Sequence, residues 1–181
     1  MKIDPDAELV ARAGKGERAA AQALMARHLP KMLTLARRML HDPAEAEDAV
    51  QEAFLRLWTH AARWRPGRAM FETWLYRVTL NQCYDRLRRK PTLELAAAAH
   101  VADPARGPQA ELESADLAVE VEAALAELPA RQRAAILLCH YRERGNVEAA
   151  EILGVSVEAL ESLLSRGRRT LRIRLAHLKD G

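Results

Sequence analysis

The stretch "NVEAAEILGVSVEALESLLSRGRR" (Asn146–Arg169) governs the reading of the whole chain. With Asn146 as position one, Ala150 is fifth, Gly154 ninth and Leu160 fifteenth. Each residue type has a steric reason. Two helices crossing closely need a small side chain at Ala150, and the tight turn between them needs a residue able to take positive φ at Gly154. Leu153, Val155, Leu160 and Leu163 close a small core, while Ser156 is placed to cap the second helix. This spacing predicts a helix-turn-helix whose second helix presents its early residues to a major groove. An ordinary helical hairpin with a glycine cap shares the spacing, but charge separates the two readings. Arg166, Arg168, Arg169, Arg172 and Arg174 crowd the later turns with little acid nearby, which suits a phosphate-contacting surface.

Working outward, the rest of the chain is also helical in pattern. Ser114 to Leu128 carries Leu117, Val121, Ala124, Leu125 and Leu128 on one side. Pro129 opens a further helix with Ala134, Leu137, Leu138 and Tyr141 as its apolar face. In the first half, Ala7–Ala13 reads as a short helix and Arg18–Leu29 as the next. Pro30 then starts a separate one over Lys31–Leu40. Asp42 and Pro43 read as N-cap and first turn of a long helix ending near Arg63. There Ala46, Ala49, Val50, Ala53, Phe54, Leu57 and Trp58 follow core-facing spacing. Glu45, Asp48, Gln51, Glu52 and Arg56 lie opposite. Arg65-Pro66-Gly67-Arg68 breaks the pattern, and another helix runs from Phe71 to about Arg89. Its apolar candidates are Trp74, Leu75, Val78, Cys83 and Leu87. Trp74, Tyr76, Asn81, Tyr84 and Asp85, upstream of Arg86, Arg88, Arg89 and Lys90, offer ring faces, amide edges and charge of the kind unstacked bases require.

Periodicity fails between Pro91 and Glu113, where Pro104, Gly107 and Pro108 fall among few large apolar residues. The expected organisation is therefore all-α, with a domain over 1–91, a flexible linker over 92–113 and a helix-turn-helix domain over 114–181. Composition agrees: 49% of the 181 residues are hydrophobic but only 4% aromatic, a mix that suits Ala- and Leu-rich helical modules. The net charge of +3 says little, because phosphate binding depends on where charge sits. Cys83 and Cys139 are far apart and lie in helical runs, which suits small buried hydrophobes. None of the six histidines pairs with a cysteine at zinc spacing, so neither metal nor cofactor is expected. Phosphate-binding, nucleophile-elbow and zinc-protease motifs are missing from the sequence, and no enzyme activity is expected. No basic-then-apolar leader and no run of ~18 apolar residues occurs, so membrane insertion is not expected and the cytoplasm is.

Three segments, in order, resemble the extracytoplasmic-function (group 4) sigma factors of bacterial RNA polymerase. "AEAEDAVQEAFLRLW" (Ala44–Trp58) resembles the region 2 helix that binds the β′ clamp helices. "FETWLYRVTLNQCYDRLRRK" (Phe71–Lys90) resembles the part of region 2 that melts and reads the −10 element. Leu128–Arg172 resembles region 4, which reads the −35 element. The resemblance implies that Asp48, Gln51, Glu52, Leu55 and Arg56 meet core polymerase. It places Arg65, Arg68, Trp74, Asn81, Asp85, Arg88 and Arg89 at the −10 element. It places Glu158, Glu161, Ser162, Ser165, Arg166 and Arg169 at the −35 major groove. The implied partners are core RNA polymerase (β′ clamp helices and β flap), promoter DNA and an anti-sigma factor.

This chain departs from the family pattern at three places. Arg144-Gly145 replaces a common leucine-serine pair, leaving Asn146 as the cap candidate. Glu161 and Leu163 stand where basic residues are common, and a Glu would accept from cytosine rather than pair with guanine. The rival reading is a stand-alone helix-turn-helix regulator with an N-terminal sensor or dimerisation module. It leaves the acidic-faced helix and the basic-aromatic helix without a purpose. An adaptor that has lost DNA contact is the reading left open by Glu161 and Leu163.

Overall fold

The computed structural model describes residues 4–61, 63, 70–89, 110–141 and 145–179. Four helices build the first half: α1 (Ala7–Gly14), α2 (Arg18–Leu40), α3 (Pro43–Ala61) and α4 (Phe71–Arg89). The second half holds α5 (Ala110–Ala126), α6 (Ala130–Ile136) running into a π-helical turn (Leu137–Tyr141), α7 (Asn146–Leu153) and α8 (Val157–Arg174). A 3-10 turn, Ala176–Lys179, follows. No strand occurs among the described residues.

Burial follows the expected period on α3: Ala46, Ala49, Val50, Ala53, Phe54 and Leu57 are all buried. Asp42 Oδ1 accepts from the Glu45 amide at 3.1 Å, so the N-cap forms as expected. Two expectations need correction. Pro30 does not divide a pair of helices but lies inside α2. Its missing N–H costs Ala26 O a partner, but Leu24 and His28 before it and Met32, Leu35 and Met39 after it are all buried on the same core. That burial outweighs the ~3 kcal/mol an interior proline costs. Helix α5 begins at Ala110, within the expected linker, and Leu117 is half exposed rather than core.

Helix α4 is buried on more than one side. Leu75 and Cys83 are in the core as expected, joined by Phe71, Tyr76 and Leu80, whereas Trp74, Val78 and Leu87 are only half-buried. Burial pushes the Cys83 thiol up to about 12, in keeping with a small inert hydrophobe. On one side α4 packs on α2 and α3; on the other it meets α6 and α7. Arg77 reaches across to the end of α7, donating to Ile152 O at 3.4 Å and to Glu151 O. Arg38 and Glu122 pair at 3.3 Å between α2 and α5.

At the centre of this junction sits Arg133, only 2% exposed. Its Nε donates to Leu125 O at 2.8 Å, and its two terminal nitrogens donate to Met39 O, Ala126 O and Leu128 O. These acceptors lie at the final turns of α2 and α5 and in the turn after α5, where helix dipoles favour a cation, and Leu125 O also accepts from the Leu128 amide at 3.1 Å. Burial pulls the guanidinium pKa down to about 10, which still leaves it charged at neutral pH. Beside it His41 takes the left-handed conformation that ends α2 (φ 52°), and burial with the neighbouring Arg133 charge lowers its imidazole to about 4. Arg133→Met is expected to lower the unfolding free energy by about 3 kcal/mol or more in chemical denaturation, by taking the guanidinium donors away from Met39 O, Ala126 O and Leu128 O. Arg133→Lys is expected to recover little of this, since a single ammonium cannot reproduce the fork. A change below ~1 kcal/mol for Arg133→Met would contradict the assigned role.

Candidate functional site

Three surfaces carry the candidate residues. On α3, Asp48, Gln51, Glu52, Leu55 and Arg56 fall at i, i+3, i+4, i+7 and i+8 and share the face opposite the core. Leu55 is 52% exposed, in the middle of polar neighbours, with Glu52 and Arg56 paired at 3.7 Å. A large apolar side chain held in water by a rigid helix and rimmed with charge is a protein-docking feature.

On α4 the expected residues separate. Asn81, Arg88 and Arg89 are exposed, and Arg88 pairs with the half-buried Asp85 one turn earlier. Trp74 is half-buried, its ring stacked 6.1 Å from Phe71 and lying 5.8 Å from His60. Tyr76 is fully buried, which removes it from the candidate base-stacking set. Tyr84 is half-buried, and burial drives its phenol up to about 12. Arg86 is tied to α3, its Nε 3.2 Å from Glu45 Oε2 and its Nη1 donating to Gln82, so it braces the helix. Arg65 and Arg68 lie outside the described residues.

The helix-turn-helix forms as its spacing predicts. Of the expected core, Ala150 and Leu160 are buried, whereas Leu153, Val155 and Leu163 are only half-buried against it and Ala149, Ile152 and Leu164 fill the centre; Gly154 takes φ 65° as the α7 cap. Ser156 Oγ accepts from the Ala159 amide at 3.2 Å to start α8. The N-cap of α7 is Gly145 rather than Asn146. Asn146 is the first helical residue, and its side-chain amide donates to Glu161 Oε1 at 3.5 Å across to α8. The shift has a simple reason: extended Gly145 leaves the Asn146 side chain free to reach α8. Tyr141, expected in this core, has a side chain outside the described residues.

All six expected groove residues are exposed: Glu158, Glu161, Ser162, Ser165, Arg166 and Arg169. Glu158 accepts from its own backbone amide and from Ser156, which holds its carboxyl below the usual range at the helix start. Arg168, Arg169 and Arg172 line an open cleft with Asn146, Glu161 and Ser165. Arg168 donates to His140 at 3.2 Å, and Arg174 pairs with Glu127 at 2.8 Å, so part of the basic run fixes α8 to its own module. The helix-turn-helix spacing assigns no role to Gly167, which is buried in α8. A Cβ there would lie 3.2 Å from Ile136, so α8 crosses α6 at a distance that suits glycine.

A helix with an exposed leucine among charges on one module and an exposed helix-turn-helix on the other define an all-helical protein of two modules with the fold of a transcription factor. Residues 24–91 match the family model for sigma-70 region 2 and residues 118–171 that for sigma-70 region 4. The chain is 35% identical to the sigma factor SigM of Mycobacterium tuberculosis, covering 97% of itself and 87% of that protein. It is 30% identical to SigW of Bacillus subtilis, covering 91% and 93%. Among solved structures it is similar to CnrH in complex with the cytosolic domain of CnrY, with a TM-score of 0.72 and 28% identity over 95% of this chain and 97% of that one. The same fold occurs in the sigma factor RpoE from Bartonella quintana, with a TM-score of 0.68 and 24% identity over 86% and 96%.

The chain belongs to the extracytoplasmic-function sigma factors of RNA polymerase. It is a transcription initiation factor rather than an enzyme. The match of residues 24–91 to region 2 leaves no support for a sensor or dimerisation module there. No described helix is long and apolar enough to cross a membrane.

Replacing Arg166 and Arg169 together with Ala is expected to abolish most promoter-dependent transcription. It should also flatten the salt dependence of holoenzyme binding by about two units of log–log slope, one per lost phosphate contact. An unchanged slope in a binding titration across salt concentrations would remove both residues from the DNA interface.

Proposed function

We propose that this sigma factor docks on core polymerase through the exposed face of α3 and opens and reads the −10 element along α4. The early turns of α8 then read the −35 element, and the second module also meets the β flap. The observation that carries this is the α3 face itself. Leu55 stands exposed among Asp48, Gln51, Glu52 and Arg56, on a helix whose other side is wholly committed to the core. On α4 the candidate −10 residues are Trp74, Asn81, Asp85, Arg88 and Arg89, preceded by Arg65 and Arg68. On α8 the candidate −35 residues are Glu158, Glu161, Ser162, Ser165, Arg166 and Arg169. The domain organisation proposed is 1–91, a linker at 92–113 and 114–181, with action in the cytoplasm, where core polymerase works.

The linker supplies reach. Ahead of α5, its residues 92–109 span ~60 Å when extended at ~3.3 Å each, which together with the breadth of the two modules reaches two elements about two helical turns apart. Tethering then raises the effective concentration of the second contact once the first is made, so neither module needs high affinity alone. An anti-sigma factor controls access in this reading. CnrH has been solved with the cytosolic domain of CnrY, and this chain shares its fold over nearly the whole length. The seating of α7 against α4 supports the same idea. Arg77 holds that contact one turn before Asn81, on the helix proposed to follow the melted strand. A partner that stabilised this packing would keep the −10 surface crowded.

The test is retention of the purified chain on core polymerase, with Asp48→Lys and Leu55→Asp alongside. Each substitution is expected to weaken binding about tenfold or more while leaving thermal stability close to the parent, as both side chains are exposed. Equal binding by parent and both variants would place the docking surface elsewhere.

A further inference from the structure

The residue in the N-cap position of α4 is Met70. Met70 precedes Phe71, and a methionine side chain cannot accept from the orphan amides of a first turn. The acceptor arrives from far away in sequence. Asp4 Oδ2 accepts from the Phe71 amide at 2.7 Å, while Asp4 Oδ1 accepts from the Asp6 amide at 3.0 Å. One carboxylate thus joins the N-terminal segment to the first residue of α4, where the helix dipole favours a negative charge.

The segment that carries Asp4 is itself anchored. Asp6 is 2% exposed and His28 1%. His28 Nε2 donates to Asp6 Oδ2 at 2.8 Å, and Arg27 pairs with the other oxygen. Burial lowers the His28 pKa against the pull of Asp6 and Glu72, and its Nδ1 lies 3.8 Å from Glu72 Oε1. Lys31 holds the same Glu72 oxygen at 2.7 Å. His28 also meets the Phe71 ring edge-on at 5.4 Å. Phe71 in turn stacks on Trp74, which is backed by His60 on its other flank.

These contacts run unbroken from Asp4 through Phe71 to Trp74, the residue that α4 offers at the proposed −10 surface. We propose that Asp4 is a positioning residue for −10 recognition: by capping α4 from outside its own sequence it fixes Phe71 and, through Phe71, the Trp74 ring. This assignment rests on the reading of α4 as the −10 helix. Asp4 touches no DNA in this scheme. Its effect is on how sharply the helix start is held when a base is presented to it, since an aromatic contact depends on ring placement.

The experiment is promoter selection by complete holoenzyme from a library randomised over both elements, with parent and Asp4→Ala compared. Asp4→Ala is expected to reduce the preference for the best over the worst −10 base by about fivefold, the size of a lost N-cap. Preference at −35 should stay as in the parent. Asp4→Asn, which keeps an acceptor for the Phe71 amide, is expected to recover most of the −10 preference. A smaller active fraction lowers yield without altering preference, so simple instability cannot mimic this result. Undiminished −10 preference in Asp4→Ala, or equal loss at both elements, would overturn the assignment. A parent holoenzyme that selects a −35 element and no −10 element would instead overturn the reading of α4, and this assignment with it.

Discussion

Arg133 brings a full positive charge to the place where two helices end, and the second half of the molecule is built around that fact. Helices α2 and α5 both end against α6, where carbonyls of their last turns lie beyond the reach of further helical donors. One planar guanidinium answers Met39, Leu125, Ala126 and Leu128 together. Helix α6, which carries Arg133, is thereby fixed in rotation and depth. From α6 the order passes to α8, which crosses it at Gly167 with Ile136 at 3.2 Å from where a Cβ would sit. From α8 it passes to α7 through Leu160, Leu164 and the Gly154 turn. The helix-turn-helix therefore hangs from a buried ion with backbone partners rather than from its own small core alone.

The functional surfaces are what this scaffold leaves uncovered. Helix α3 gives its apolar side to the core and keeps Leu55 in water among charges. Helix α8 buries Leu160, Leu164 and Gly167 and exposes Glu158, Glu161, Ser162, Ser165, Arg166 and Arg169. Rigid helices hold both sets in fixed register, which is what recognition by side chains requires. Helix α4 differs, being covered from both sides, with α2 and α3 beneath it and α6 and α7 above. Its exposed residues, Arg77, Asn81, Arg88 and Arg89, are the narrow strip that remains.

Local chemistry made much of this legible in the sequence. Helix α4 runs over the residues its periodicity marks, Asp42 caps α3, Ser156 caps α8, and Gly154 takes the positive φ its turn demands. What escaped was long-range. Pro30 looks like a boundary because its cost is local, whereas the burial that overrides it comes from α3 and α4. Tyr76 looks like a stacking ring because nothing nearby in sequence reveals that α4 is covered on two sides. Asp4 and Arg133 act on partners 67 and 94 residues away, Phe71 and Met39, and no local pattern marks either pairing. Gly167 likewise meets Ile136, 31 residues earlier, and the helix-turn-helix spacing assigns it no role.

The most direct measurement is run-off transcription from fragmented DNA of the parent bacterium, using its core polymerase with and without this chain. The account predicts discrete start sites that appear only when both are present and that share two sequence elements about two helical turns apart. Transcripts identical in the presence and absence of the chain, from protein verified as folded and free of inhibitor, would contradict it.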